Sequence, residues 1–345
     1  MKEIVVGVSG INATENPGPG LGVARSLKED PGLRVKIVGL AYDAMEPGIF
    51  LDWIIDKSYV LPYPSSNNEM FIDRLLYIKK TYGLDFVIPN LDSELPVYIK
   101  YRDELERWGI RTFLPDSKQY RLRGKDRLKE VAQRIGIEIP STEVVTSPGE
   151  LISAIDRIGL PVMVKGAFYK AYRAYTTQEA ISYFNKLVAE WGYPVIAQGV
   201  VSGEEMNVVG VGDGEGDSLG TVGIKKIWIT SMGKIWTGVT VRNESMLDAV
   251  SSFLREYEWK GPLEFECIVD GDHTWLIEIN PRFPAWSYFA TGIGVNLPAR
   301  MLRKALNMGL PGNSSYEAGK LFIRYTYELV TDMRQFQSVA TKGEN

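Results

Sequence analysis

Between Leu263 and Arg282 the chain reads LEFECIVDGDHTWLIEINPR, which sets Glu264 and Glu266, then Glu278 and Asn280, at a spacing of two. A spacing of two is the side-chain period of a strand, and the intervening Asp270-Gly271 turns the run into a hairpin. Phe265, Cys267 and Val269 then share one face of the first strand, and Trp275, Ile277 and Ile279 share one face of the second. A strict two-residue Asp270-Gly271 turn sends Glu266 and Glu278 to opposite faces. An odd loop or a bulge brings Glu266, Glu278 and Asn280 together, and this is the expectation. Carboxylates so clustered repel unless a cation lies between them, and an all-oxygen set with room for water suits magnesium bound through the phosphates of a nucleotide. A solvated sheet face also carries acids, but it seldom interleaves them with residues such as Ile268 and Leu276. The one histidine, His273, and one cysteine, Cys267, leave no soft-ligand alternative.

Other parts of the chain must place these groups. Residues 1–113 alternate short apolar strands with helical segments: Ile4 to Val8, a helix from about Gly20 to Glu29, Val35 to Leu40, Tyr59 to Leu61, a helix over 69–82, and Phe86 to Ile88. That order implies βαβ units and an open parallel sheet. Pro115-Asp116-Ser117 reads as a stop followed by a helix cap, hence a boundary. Residues 118–134 carry seven basic residues against Asp126 and Glu130, either a solvated helix face or a first sign of phosphate. From 139 onward strands dominate: 142–145, 162–165, 195–198, 205–211, 220–228 and the hairpin, with helices over 148–158, 178–190 and 297–308. This half is α+β with antiparallel hairpins.

The run Glu266, eleven residues, then Glu278-Ile279-Asn280-Pro281-Arg282 resembles the metal-binding signature of ATP-grasp enzymes, close to biotin carboxylase and the large subunit of carbamoyl-phosphate synthase. Gly10-Ile11-Asn12 with Asn16 to Gly20, and Ile88 to Leu95, are similar to that family's preceding α/β domain. The resemblance implies an N-terminal open parallel α/β domain (1–113), a lid subdomain (114–197) and a large sheet subdomain (198–345) that together hold Mg-ATP. It implies Lys125 and Lys165 on the nucleotide phosphates, the backbone near Gln198 and Val200 on adenine, Glu205 on the ribose, and Glu266, Glu278 and Asn280 on Mg2+ or Mn2+. Arg282 then stabilises the transferring phosphoryl group or an acyl phosphate. Lys225 and Lys226 are further phosphate candidates, of which strand alternation admits one.

Two departures stand out. The family's glycine-rich lid is replaced by Gly166-Ala167-Phe168-Tyr169-Lys170-Ala171-Tyr172-Arg173, where Lys170 and Arg173 could supply the charge that backbone amides otherwise supply. At the hinge, Gln198-Gly199 replaces a more usual acidic residue. Gly18 and Gly20 lack the G-x-G-x-x-G spacing of a dinucleotide site, and Pro19 removes an amide. Their amides, at a helix N-terminus, are expected instead to help hold a second substrate or an anionic group facing the metal site. Asp92 and Glu94 are expected to bind a substrate amine or to cap the following helix. Trp286, in the aromatic cluster with Phe283, Tyr288 and Phe289, is expected in the substrate pocket or the core.

The implied activity is an ATP-dependent carboxylate–amine ligase working through an acyl phosphate and releasing ADP and phosphate. Bicarbonate chemistry of the carbamoyl-phosphate synthase or carboxylase kind, and non-catalytic Mg-ATP sensing, remain as alternatives. The 345 residues carry 45% apolar and 24% charged side chains with a net charge of −4. These values describe a folded, multidomain protein and argue against bulk capture of nucleic acid or anionic membrane. No apolar run approaches membrane-spanning length, so a reduced, cytoplasmic protein with small-molecule partners is expected, a homodimer being the default.

Overall fold

The first half of the chain begins with apolar runs that are buried on both faces. In the computed structural model, which describes residues 3–13, 17–167, 170–231, 233–312 and 315–345, these runs become β1 (Ile4–Ser9), β2 (Val35–Ala41), β3 (Lys57–Val60) and β4 (Phe86–Ile88). Asn16, Phe168 and Tyr169 lie outside the described residues. The strands are parallel in the order β3-β2-β1-β4. They are joined and covered by α1 (Gly20–Lys28), α2 (Asn68–Thr81), α3 (Leu95–Lys100) and α4 (Arg102–Arg107). Connections leave β1 in opposite directions, and such a switch point opens a crevice at the carboxyl ends of β1 and β4.

Gly18 and Gly20 seat α1 on that edge. A Cβ on Gly20 would lie 2.1 Å from the Ser9 carbonyl oxygen, and one on Gly18 2.2 Å from that of Gly10. Their amides are already used, Gly18 donating to the Asn12 carbonyl (3.0 Å) and Gly20 to that of Gly10 (2.8 Å). The expectation that these amides bind substrate is therefore corrected: the glycines permit a close backbone approach.

Residues 117–199 form α5 (Ser117–Arg121), α6 (Leu128–Ile135), β5 (Thr142–Val145), α7 (Pro148–Ile158), β6 (Val162–Gly166), β7 (Ala171–Ala174), α8 (Thr177–Trp191) and β8 (Val195–Gly199). A capping box of Asp116 and Gln119 opens α5, as the Pro-Asp-Ser boundary anticipates. The sheet β5-β8-β6-β7 is antiparallel. Val162, Val164 and Ala197 pack under Leu151 of α7 and Phe184 of α8, so alternation puts Met163, Lys165, Arg173 and Gln198 on the opposite face. The expected lid start at residue 114 is displaced: Leu128, Val131, Ala132 and Ile135 of α6 belong to the core of the next subdomain, and β8 runs past 197 to Gly199.

That subdomain contains β9 (Glu204–Asp213), β10 (Ser218–Ile229), β11 (Ile235–Val241), α9 (Glu244–Tyr257), β12 (Lys260–Asp270), β13 (His273–Asn280), α10 (Tyr288–Gly292), α11 (Leu297–Ala305), β14 (Leu321–Ile323) and α12 (Met333–Lys342). Its antiparallel sheet runs β13-β12-β9-β10-β11-β14. On one face Phe265, Cys267 and Leu276 pack against Phe253 of α9 and against α6. On the other, Val209, Val222 and Ile224 join Phe283, Phe289 and residues of α1 and α11 in a core shared with the N-terminal domain. The acidic hairpin lies on this second face.

Candidate active site

The parity of the hairpin is settled by a bulge. Asp270 pairs with His273 across Gly271-Asp272, a two-residue turn with Gly271 at φ +56°. Toward the strand ends Cys267 faces Leu276, but Glu266 faces Glu278 and Glu264 faces Asn280, leaving Ile277 as the extra residue. The even turn alone would have parted the carboxylates. The bulge unites Glu266, Glu278 and Asn280 as expected. It also corrects the expected apolar face of β13: Leu276, not Ile277 or Trp275, joins Ile279 in the core, and Trp275 lands opposite Ile268 and stacks on His273 with ring centroids 5.4 Å apart.

Cations surround this patch. Ile224 pairs with Asn207, which bonds Glu264, so Lys226 shares the acidic face and Lys225 turns away to pair with Glu204. Lys226 Nζ lies 3.1 Å from Glu266 and 3.0 Å from Glu205. Burial opposes its charge, yet Glu266 and Glu205 outweigh that and push its pKa up. Glu266, although its partial burial opposes charge, is in turn held below the ordinary carboxylate range by Lys226. Lys125 Nζ is 3.3 Å from Glu278. From the opposing sheet, Lys165 donates to Gln198 Oε1 (2.6 Å), whose amide donates to Thr142 Oγ1 (2.9 Å). Burial, reinforced by Lys125, lowers the Lys165 pKa to about 8 despite Glu278, Glu266 and Glu205.

Arg282 is buried between two carboxylates. Its Nε donates to Asp92 (3.0 Å), and its Nη1 lies 3.7 Å from Glu264. Asp92 also receives Arg123 (3.1 Å), and the two arginines hold its pKa down against burial. Asp92 therefore orients Arg282 instead of waiting for a substrate amine. Glu94, expected beside it, is fully buried and accepts from Ser9 Oγ, the Tyr42 hydroxyl and the amides of Asn90 and Leu91, so a structural role replaces the expected amine contact. Trp286 is buried, and its indole N–H donates to Glu264 (2.8 Å), as does the Asn207 amide (2.7 Å). Burial, then Glu266, pushes the Glu264 carboxyl up.

Lys170 is corrected as a site residue: its ammonium is 2.7 Å from Glu190 of α8. Arg173 lies on the same face of the β5-β8-β6-β7 sheet as Lys165, with its guanidinium over Tyr175. Of the basic run 118–134, Lys125 and Arg123 turn inward, whereas Arg127 and Arg134 make exposed pairs with Glu130 and Glu256. Val200 begins the β8–β9 connection, and Glu205 is the second residue of β9 and exposed. Sequence reasoning missed Lys234, which joins Lys226, Glu264, Glu266, Arg282 and Trp286 around a cavity of about 30 Å³. Its only sequence cue is a spacing of two from Trp236 on a strand not foreseen.

No family model matches the chain. It is 22% identical over 241 residues to the carbamoyl phosphate synthase arginine-specific large chain of Bacillus subtilis (strain 168), an alignment covering 66% of this chain and 22% of that protein. The chain spans about a fifth of the length of the first curated relatives it matches. Biotin carboxylase from Campylobacter jejuni, in complex with β-γ-ATP, superposes with a TM-score of 0.71 at 16% identity, covering 93% of this chain and 74% of that one. L-amino acid ligase from Bacillus licheniformis superposes with a TM-score of 0.65 at 16% identity, over 89% and 74% of the two chains. With its parallel N-terminal sheet and the two antiparallel sheets that face each other across Lys165 and Glu266, the chain has the ATP-grasp fold.

Proposed function

We propose that the protein is an ATP-dependent carboxylate–amine ligase acting on small molecules. The observation that carries this reading is the bulged hairpin, which sets Glu266, Glu278 and Asn280 on one face, with Lys226 beside them and Lys125 and Lys165 around them. The donor set fits magnesium. It is all oxygen, and among the described residues no group of three or more acidic, histidine or cysteine side chains could hold a metal alone. A cation here needs phosphate oxygens to complete its shell, which is how magnesium enters nucleotide sites. Bound there, magnesium would neutralise the nucleotide phosphates.

In this reading Lys125 and Lys165 hold the phosphates, and Lys226 keeps Glu205 and Glu266 aligned until nucleotide and cation arrive. Glu205 then accepts from the ribose, and the backbone at Gln198 and Val200 bonds adenine. Arg173 lies on the lid face over the phosphates. A substrate carboxylate oxygen attacks the γ-phosphorus, the bond to ADP breaks, and Arg282 receives the charge of the acyl phosphate. An amine nitrogen then attacks the acyl carbon, and phosphate departs with the proton. Positioning and charge neutralisation account for the rate, since phosphoryl transfer asks for little covalent help. The likeness to a carbamoyl phosphate synthase chain favours bicarbonate as the second reading of the acid.

Among the described residues no helix is long and apolar enough to cross a membrane, and small-molecule partners, a cytoplasmic setting and a homodimer complete the proposal. The test is Mg-dependent ADP and phosphate release with pooled carboxylic acids, amino acids or bicarbonate, with Glu278→Gln as control. Release that requires one pool and disappears in the variant supports the ligase and separates the two acids. ATP binding without release from any pool reduces the reading to nucleotide binding, and failure to bind ATP overturns it.

A further inference from the structure

Lys125, Lys226 and Arg282 each face a carboxylate. Arg324 and Lys234, in contrast, make no ion pair among the described residues. Arg324 follows β14, and its amide donates to the Trp236 carbonyl (2.9 Å), two residues beyond Lys234. Along the adjoining row, Lys226 faces Gly238, which faces Phe322. Alternation from that row puts Trp236 and Arg324 on the face of Lys226 and Glu266, and Lys234, just before β11, lines the cavity on that face with Lys226 and Glu266.

The Arg324 guanidinium is held without being neutralised. Nη2 donates to the Ala285 carbonyl (2.7 Å), the group lies over the rings of Trp236 and Phe322, and Nε is buried with no hydrogen-bond partner. Ala285 and Lys234 both wall the cavity beneath Arg282. Burial pushes the pKa of each cation down. No carboxylate acts on Arg324, and Lys234 feels Glu264, Glu266 and Asp92 without pairing with any of them; a partly buried cation left unpaired weakens the fold unless an anion joins it.

We propose that Arg324 and Lys234 form an anion subsite that holds a second negative group of the acid substrate, apart from the carboxylate phosphorylated beside Glu266 and Glu278. The substrate class is then a carboxylic acid bearing another carboxylate or a phosphate. Naming the anion as substrate rests on the ligase reading; the anion site itself does not.

Binding is measured by calorimetry without nucleotide, using acetate and butyrate against succinate, glutarate and phosphoglycolate. The wild-type protein is expected to bind at least one dianion about tenfold or more tighter than the monoanions, a gain of the size bidentate charge-assisted pairing supplies. Succinate or glutarate as the winner assigns a second carboxylate, and phosphoglycolate a phosphate. Arg324→Met is expected to bring the preference below about twofold while Mg-ATP binding and circular dichroism stay unchanged. Arg324→Lys, which keeps charge and loses the fork, should fall between, and it serves as the test if the methionine variant does not fold. Equal binding of all acids by the wild type, or an undiminished preference in both variants, overturns the subsite. Dianion binding with no Mg-ATP binding sinks the ligase reading and leaves this one standing.

Discussion

Lys165 is the residue through which pH should control nucleotide affinity. It is 7% exposed, and burial together with Lys125 brings its pKa to about 8. The gap from an ordinary lysine near 10.5 corresponds to about 3 kcal/mol disfavouring the charged form in the folded protein. The unfolded chain keeps this proton up to about pH 10.5 and the folded chain only to about 8, so this group's destabilising contribution is present at neutral pH and fades as pH rises from 8 to 10.5. Nucleotide phosphates reverse the balance, because their charge favours the ammonium. In the free protein Lys165 is about nine-tenths charged at pH 7 and about one-tenth at pH 9, so the Kd for Mg-ATP should rise about tenfold across that range. Binding at pH 9 should take up close to one proton. Calorimetry at pH 7, 8 and 9 in two buffers of different ionisation enthalpy reads both quantities. Lys165→Met should bind more weakly with a flat profile and no such uptake. Equal affinity at pH 7 and 9, or proton uptake that persists in the variant, would refute the role assigned to Lys165.

Replacing Arg282 by methionine leaves Asp92 with Arg123 alone and Glu264 with only the neutral donors Asn207, Trp286 and Asn280, and urea unfolding should show a loss of about 3–5 kcal/mol. Gly20→Ala places a Cβ 2.1 Å from the Ser9 carbonyl, which only a shift of α1 relieves, so the melting temperature should drop by several degrees or more. Deleting Ile277 should be tolerated, because Glu266 still meets Glu278 and Cys267 still meets Leu276 in a ladder that no longer needs its bulge. Deleting the buried Ile279 slides Asn280 into an apolar slot beside Phe265 and should abolish soluble folded protein, read by circular dichroism and Mg-ATP binding.

Period-two alternation and helix caps were enough to find Thr142–Val145, Phe86–Ile88 and Pro148–Ile158 with their observed bounds. Those elements carry their own signal: alternation or a short apolar run, and for the helix a Ser147 cap with Pro148 behind it and Gly159 at its end. β7 reads as loop because four residues with exposed Ala171 and Arg173 become a strand only by pairing with β6. β14 is three residues, two of them exposed, and exists by its ladder to β11. The helix α9 is legible in its stripe of Met246, Val250, Phe253 and Leu254. Strand parity is a different case. Lys225 and Lys226 are indistinguishable by type, and only the register of β10 on β9 chooses the inward one.

The candidate site divides along the same line. Glu266, Glu278 and Asn280 are close in sequence, so a hairpin suffices to unite them and their types announce a cation. Asp92 and Arg282 are 190 residues apart, and neither tells from its neighbours that it will meet the other. That meeting changes both roles, since a carboxylate bound to two arginines no longer attracts an amine, and an arginine fixed by two carboxylates has its direction set before any substrate arrives. A guanidinium so neutralised contributes geometry more than net charge. The positive charge left for an anionic ligand beneath it then comes from Lys234 and Arg324, side chains that make no ion pair among the described residues, Arg324 being brought to this face because β14 adds to the far edge of β11.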